Sequence, residues 1–195
     1  MIIYIHGFAS SGRGDKALTI RRYFKKEAVA PSISYIPDLA MDTLKQLVES
    51  FSQREQVSLI GSSLGGFYAA CLSEMYDLPA VLINPSTEPH ITLASHTGPV
   101  TNFYDLSSFE WSERHVKELE RLRPESISKP ENFMLLLQKG DETLDYRVAR
   151  ERFQGAKIVI EEGGSHSFEG FERYLGEIES FLKRRDVAKQ PDRAD

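Results

Sequence analysis

The chain has 195 residues, 41% of them hydrophobic, which suits one globular domain with a sizeable core and leaves too little chain for two. A formal net charge of −5, with no dense Lys/Arg cluster before the C-terminal end, speaks against nucleic acid as the main partner. The single cysteine, Cys71, excludes an intramolecular disulfide and reads as a small core residue. The opening apolar run is too short for a signal-peptide core and no later run approaches a membrane span, so a cytoplasmic protein with no membrane span is expected.

Ile2-Ile3-Tyr4-Ile5 is a β-branched run of the kind found in strands buried on both faces. It ends at His6-Gly7-Phe8-Ala9-Ser10-Ser11-Gly12, a loop that can present a backbone N–H to a developing oxyanion, with Phe8 as the donor. His6 is expected to order this loop through backbone hydrogen bonds rather than to transfer protons. Ala17, Ile20 and Phe24 then fall at helical spacing among basic residues, which predicts a surface helix. A second strand is predicted over Ile33-Ser34-Tyr35-Ile36, stopping at Pro37-Asp38, and Leu44, Leu47, Val48 and Phe51 mark another amphipathic helix.

The strand Val57-Ser58-Leu59-Ile60 runs into Gly61-Ser62-Ser63-Leu64-Gly65, which fits G-x-S-x-G, and then into a helix almost without charge. In that pattern the middle serine, here Ser63, sits on a sharp strand-to-helix turn and is exposed above the sheet. The flanking glycines remove side chains that would collide with strand or helix, and the helix start favours the negative charge of acyl transfer. Leu64 N–H is the second candidate oxyanion donor.

Ala80-Val81-Leu82-Ile83 is the next strand, closed by Asn84-Pro85. This alternation of buried strands and helices predicts a parallel sheet with helices on both faces. The rhythm breaks over about 86–131, where His90, His96, Phe103, Tyr104, Phe109 and Trp111 lie without a convincing strand. The segment reads as a cap that shapes an acyl pocket, with a capping box at Ser107-Ser108-Phe109-Glu110 and a helix through Val116, Leu119 and Leu122. His90, His96 and His115 read as cap or surface residues.

Alternation returns with Phe133-Met134-Leu135-Leu136-Leu137, and the loop after it carries three acids, Asp141, Glu142 and Asp145. Asp141 is nearest the strand end and follows a glycine, which favours it for orienting a histidine; Asp145 is equally suited to cap the next helix. After Lys157-Ile158-Val159-Ile160-Glu161, the loop Gly163-Gly164-Ser165-His166 can bring His166 to Ser63 and Asp141. The order Ser63, Asp141, His166 is that of the α/β-hydrolases, unlike the two protease orders. Phe171, Leu175, Ile178 and Leu182 predict a closing helix, and from Lys183 the sequence is polar and aperiodic, so a domain over 1–184 and a disordered tail over 185–195 are expected. The sequence contains no metal-ligand cluster, and neither metal nor cofactor is expected.

On these segments, together with Leu78-Pro79-Ala80-Val81, Leu144-Asp145-Tyr146 and Gly170-Phe171-Glu172, the chain from Ile2 to about Leu182 resembles the small bacterial α/β-hydrolases of the YqiA/YcfP type. The resemblance implies a reduced α/β-hydrolase fold with a six-stranded parallel sheet in strand order 2-1-3-4-5-6 and a small cap. It also implies an esterase, with thioesters such as acyl-CoA among its substrates, whose catalytic residues fall on Ser63, Asp141 and His166. The expected function is serine hydrolysis of a small-molecule ester or thioester through an acyl-enzyme. The rival is a protein of the same fold that binds a small apolar ligand without turnover. Acyl length, leaving group and oligomeric state are not specified by the sequence.

Overall fold

The computed structural model describes residues 1–188. Six strands form one parallel sheet: β1 (Ile2–Ile5), β2 (Ala28–Val29), β3 (Ser58–Ser62), β4 (Ala80–Ile83), β7 (Phe133–Gln138) and β8 (Lys157–Glu161), in the order β2-β1-β3-β4-β7-β8. Counted among themselves these strands run 2-1-3-4-5-6, as the resemblance implies. β1, β4 and β7 are buried at every position, which is why they read as unbroken apolar runs.

Successive strand residues serve opposite cores, as the period of two dictates. Ile3, Ile5, Leu59, Leu82 and Leu135 pack with Leu44 and Val48 of α2 (Pro37–Ser52) and with α3 (Leu64–Tyr76). Ile2, Tyr4, Ile60, Val81 and Leu136 pack instead with Ile20 of α1 (Asp15–Phe24) and with Ile178 and Leu182 of α7 (Leu175–Ala188). α3 is buried nearly all round, hence its single charged residue, Glu74 near its C-terminal end.

Two expectations are corrected. The second strand is Ala28–Val29, pairing with Ile2 and Ile3, and not Ile33–Ile36. The backbone N–H groups of that later stretch go to side chains instead of a ladder: Ile33 N–H to His6 Nε2 at 3.1 Å and Ile36 N–H to Ser34 Oγ at 3.1 Å.

The segment over 86–131 also differs from its strandless reading. It holds a short helix α4 (Pro89–Thr92), an antiparallel hairpin of β5 (Gly98–Thr101) and β6 (Ser108–Trp111), and α5 (Glu113–Leu122). Val100, Phe109 and Trp111 alternate toward the core while Thr101, Ser108 and Glu110 face out, a pattern too short to stand out in the sequence. Ser108-Phe109-Glu110 is therefore strand, and the capping interaction lies further on, where His115 Nδ1 accepts the Ser112 N–H at 3.1 Å and starts α5.

α6 (Tyr146–Arg152) links β7 to β8. α7 continues to Ala188, past the start of the expected tail, and 189–195 lie outside the described residues. Among the described residues no helix is long and apolar enough to cross a membrane.

Candidate active site

Ser63 joins β3 to α3 with φ 54° and ψ −121°, a conformation that side chains rarely adopt and that turns the chain sharply enough to expose Oγ. Two glycines make the turn possible by close approach. A Cβ on Gly61 would lie 2.2 Å from the Gly65 carbonyl oxygen, and one on Gly65 would lie 2.0 Å from that of Ile5. The absence of a side chain at Gly65 lets α3 start directly against the end of β1, which places the His6-Gly7-Phe8 loop beside Ser63.

His166 comes from the loop after β8, and its Nε2 lies 2.9 Å from Ser63 Oγ. Its Nδ1 lies 3.0 and 2.9 Å from the two carboxylate oxygens of Asp141. Asp141 Oδ1 also accepts the N–H groups of Thr143 and Leu144, both at 2.8 Å, so the carboxylate is fixed from behind while it faces the ring. The three candidates from three strand ends are thus brought into one hydrogen-bonded row.

The two rival acids do other things. Glu142 Oε2 accepts the backbone N–H of His166 at 3.0 Å, and that bond holds its carboxyl below the usual range. Asp145 caps α6 by accepting the Arg147 N–H at 2.9 Å.

Sequence reasoning missed the residues that hold the histidine loop. Gln138, at the end of β7 and 2% exposed, accepts the N–H groups of Ser165 (3.1 Å) and Glu169 (2.8 Å) on one oxygen. Its Nε2 donates to Glu161 Oε2 at 2.7 Å and to the Glu169 carbonyl at 2.9 Å. Asn84, at the end of β4, donates to the carbonyls of Ser165 (3.0 Å) and His166 (3.2 Å). The available signal was polar amides closing two apolar central strands, where a buried polar group requires partners. Gly164, at φ +78°, supplies the turn; a Cβ there would meet Gln138 Oε1 at 2.1 Å.

Phe8 and Leu64, the candidate oxyanion donors, both line the cleft with Ser63 and His166. Neither N–H has a hydrogen-bond partner among the described residues. The peptide that carries the Phe8 N–H is held at its other end, where the Gly7 carbonyl accepts His6 Nδ1–H at 2.8 Å. His6 Nε2 accepts from Ile33, which fixes the neutral Nδ1–H tautomer, and burial pushes the ring's pKa down. His6 is therefore a loop-ordering residue, as read from the sequence.

The cleft measures about 1040 Å³. Leu93, Val100 and Phe103 of the cap, with Leu144, Phe168 and Phe171 of the main domain, give it apolar walls. Asp15, Lys16 and Glu172 line a polar part, and burial pushes the Lys16 ammonium pKa down. His96 reaches the cleft, whereas His115 caps α5, and His90 lines neither it nor the smaller cavity of about 370 Å³ beside it. Cys71 is buried in α3, where burial pushes its thiol pKa up. Among the described residues no group of three or more His, Cys, Asp or Glu is placed to hold a metal ion.

Comparison with known proteins agrees with this architecture. A family model described as "Uncharacterised protein family (UPF0227)" matches residues 1–183. The UPF0227 protein of Pectobacterium atrosepticum is 28% identical over 188 residues, covering 93% of this chain and 98% of that one. The UPF0227 protein YcfP of Escherichia coli O9:H4 is 23% identical with the same coverage. Among solved structures, Est1E of Butyrivibrio proteoclasticus with bound ferulic acid superposes with a TM-score of 0.68 at 12% identity, covering 96% of this chain and 89% of that one. Mouse alpha/beta hydrolase domain-containing protein 10 superposes at 0.66 with 17% identity, covering 96% and 88%. At these identities the structures establish the α/β-hydrolase fold.

Proposed function

The chain belongs to the UPF0227 family, and we propose that within it this protein is a serine hydrolase that cleaves a carboxylic ester or thioester through Ser63, His166 and Asp141. The observation that carries the reading is the continuous row from Ser63 Oγ to His166 Nε2 at 2.9 Å and from His166 Nδ1 to Asp141 at 2.9 Å. A protein that only bound a ligand would have no use for a serine held in a strained turn with a base on its hydroxyl.

In the proposed reaction Ser63 Oγ attacks the acyl carbonyl carbon as its proton passes to His166 Nε2. Asp141 holds the Nδ1–H and stabilises the imidazolium that forms. The carbonyl oxygen, now negative, takes hydrogen bonds from Phe8 and Leu64 N–H, each worth about 3 kcal/mol of barrier by comparison with similar donors. Collapse expels the alcohol or thiol, which takes the proton from His166. Water then attacks the acyl-enzyme with His166 again as base, and the acid leaves.

The apolar walls supplied by Leu93, Val100 and Phe103 favour an apolar acyl chain, with the leaving group toward Lys16 and its neighbouring acids. The test is hydrolysis of p-nitrophenyl acyl esters and acyl-CoA thioesters of increasing chain length by wild type and Ser63→Ala. Turnover by wild type and none by a folded Ser63→Ala is expected. Turnover by neither would leave the ligand-binding reading.

A further inference from the structure

The cap hairpin is bonded to the loop that carries the Phe8 N–H. At the tip between β5 and β6, Phe103 N–H donates to the Ala9 carbonyl at 2.8 Å and Asn102 Nδ2 donates to the Ser10 carbonyl at 3.3 Å. The tip is closed on itself, with Asn102 N–H to the Ser107 carbonyl at 2.8 Å and Tyr104 N–H to Asn102 Oδ1 at 2.8 Å. The Phe8 ring stands edge-on to two rings of β6, with centroids 4.8 Å from Trp111 and 5.8 Å from Phe109. Trp111 is itself fully buried, and its indole N–H donates to the Leu93 carbonyl at 3.1 Å.

His6 thus fixes the peptide before the Phe8 side chain, β6 holds the ring, and the hairpin tip holds the next two carbonyls. Between these anchors Ala9 has φ +50°, a left-handed conformation that an alanine keeps only when its surroundings impose it. Both tip bonds hold the chain immediately after this turn, at the carbonyls of Ala9 and Ser10.

We infer that Asn102 is a positioning residue for the oxyanion hole, setting the place of the Phe8 N–H through its bond to the Ser10 carbonyl and through the tip whose Phe103 N–H it presents to Ala9. The inference rests on the serine hydrolase reading given above. It makes the cap a structural part of the catalytic site: deleting or reshaping the hairpin alters the chemical step as well as the fit of the acyl group. Hydrogen-bond donors work on an oxyanion only when placed in advance, so a small displacement is paid in kcat rather than in KM.

The test compares wild type, Asn102→Ala and Asn102→Asp in hydrolysis of a p-nitrophenyl acyl ester and in inhibition by an alkyl trifluoromethyl ketone, whose hemiketal with Ser63 puts its oxygen in the same hole. Asn102→Asp keeps the acceptor for Tyr104 N–H but loses the donor to Ser10. Both variants are expected to lose about tenfold in kcat, as for a misplacement well below 1 Å, with KM within about twofold. The ketone should weaken by the same factor, and product-acid binding and thermal midpoint should stay close to wild type. Unchanged kcat in both variants, or full kcat in Asn102→Asp, would overturn the positioning role while leaving the hydrolase intact. No turnover and no ketone inhibition in wild type would instead remove the hydrolase reading, and the inference with it.

Discussion

Gln138 and Asn84, at the ends of neighbouring central strands, are joined by a hydrogen bond from Gln138 N–H to Asn84 Oδ1 at 3.0 Å, and together their amides hold Ser165 and His166 in place. Asn84→Ala leaves two loop carbonyls and the Gln138 N–H without their partner. The expected cost is about 1–3 kcal/mol in denaturant unfolding, with a loss of kcat larger than any rise in KM. Unchanged kcat in a destabilised variant would mean that the histidine is held by other contacts.

The acids near His166 separate by role. Asp141→Asn is expected to lower kcat by about 10⁴-fold, since an amide no longer selects the Nδ1–H tautomer. Asp145→Ala removes a helix cap, with a cost of about 1 kcal/mol and kcat within about twofold. Steady-state kinetics of the two variants side by side checks both; a larger kcat loss in Asp145→Ala would reverse the assignment.

Glu161 links the Gln138 amide to Tyr174 and Arg173. Hydrogen bonds from Tyr174 (2.7 Å), Gln138 (2.7 Å) and Arg173 (2.6 Å) pull its carboxyl from an ordinary 4.5 down to about 2. A depressed carboxylate contributes stability that is fully present above about 4.5 and is lost as pH falls toward about 2. Unfolding curves for wild type and Glu161→Gln should therefore differ most near neutral pH and converge in acid. A gap that does not change with pH would contradict this.

Gly65 is set by contact rather than by its own dihedrals, because its Cβ would lie 2.0 Å from a backbone oxygen of β1. Gly65→Ala is expected to cost about 3 kcal/mol, at the upper end of overpacking, and to lower kcat by moving α3 away from the Phe8 loop. Thermal unfolding and kinetics of the variant check both effects; a stable variant with full kcat would show that the helix start can shift freely.

The chain's apolar runs made the sheet legible, because the central strands are buried on both faces and leave short apolar runs bounded by loop residues. Ser63 and His166 were legible because glycines mark the turns that carry them, and order along the chain tied them together. Asp141 was favoured by its place after a glycine at the strand end, with two rival acids within five positions; in the structure it is the Asp141 carboxylate that faces the His166 ring. The edge strand was misplaced because two residues of pairing leave no pattern, while Ile33–Ile36 reads β-branched yet spends its N–H groups on side chains. The cap hairpin escaped because four-residue strands carry only two inward positions each. Gln138 and Asn84 act across the sheet, between segments 54 residues apart, where local pattern has no reach.

The measurement that bears most directly on the central claim is intact-protein mass after exposure to a fluorophosphonate ester, run on wild type and Ser63→Ala together. An activated serine displaces fluoride and keeps the phosphonyl group. The account predicts one adduct on wild type and none on the variant. An unmodified wild type that is folded, or an adduct that persists in Ser63→Ala, would contradict it.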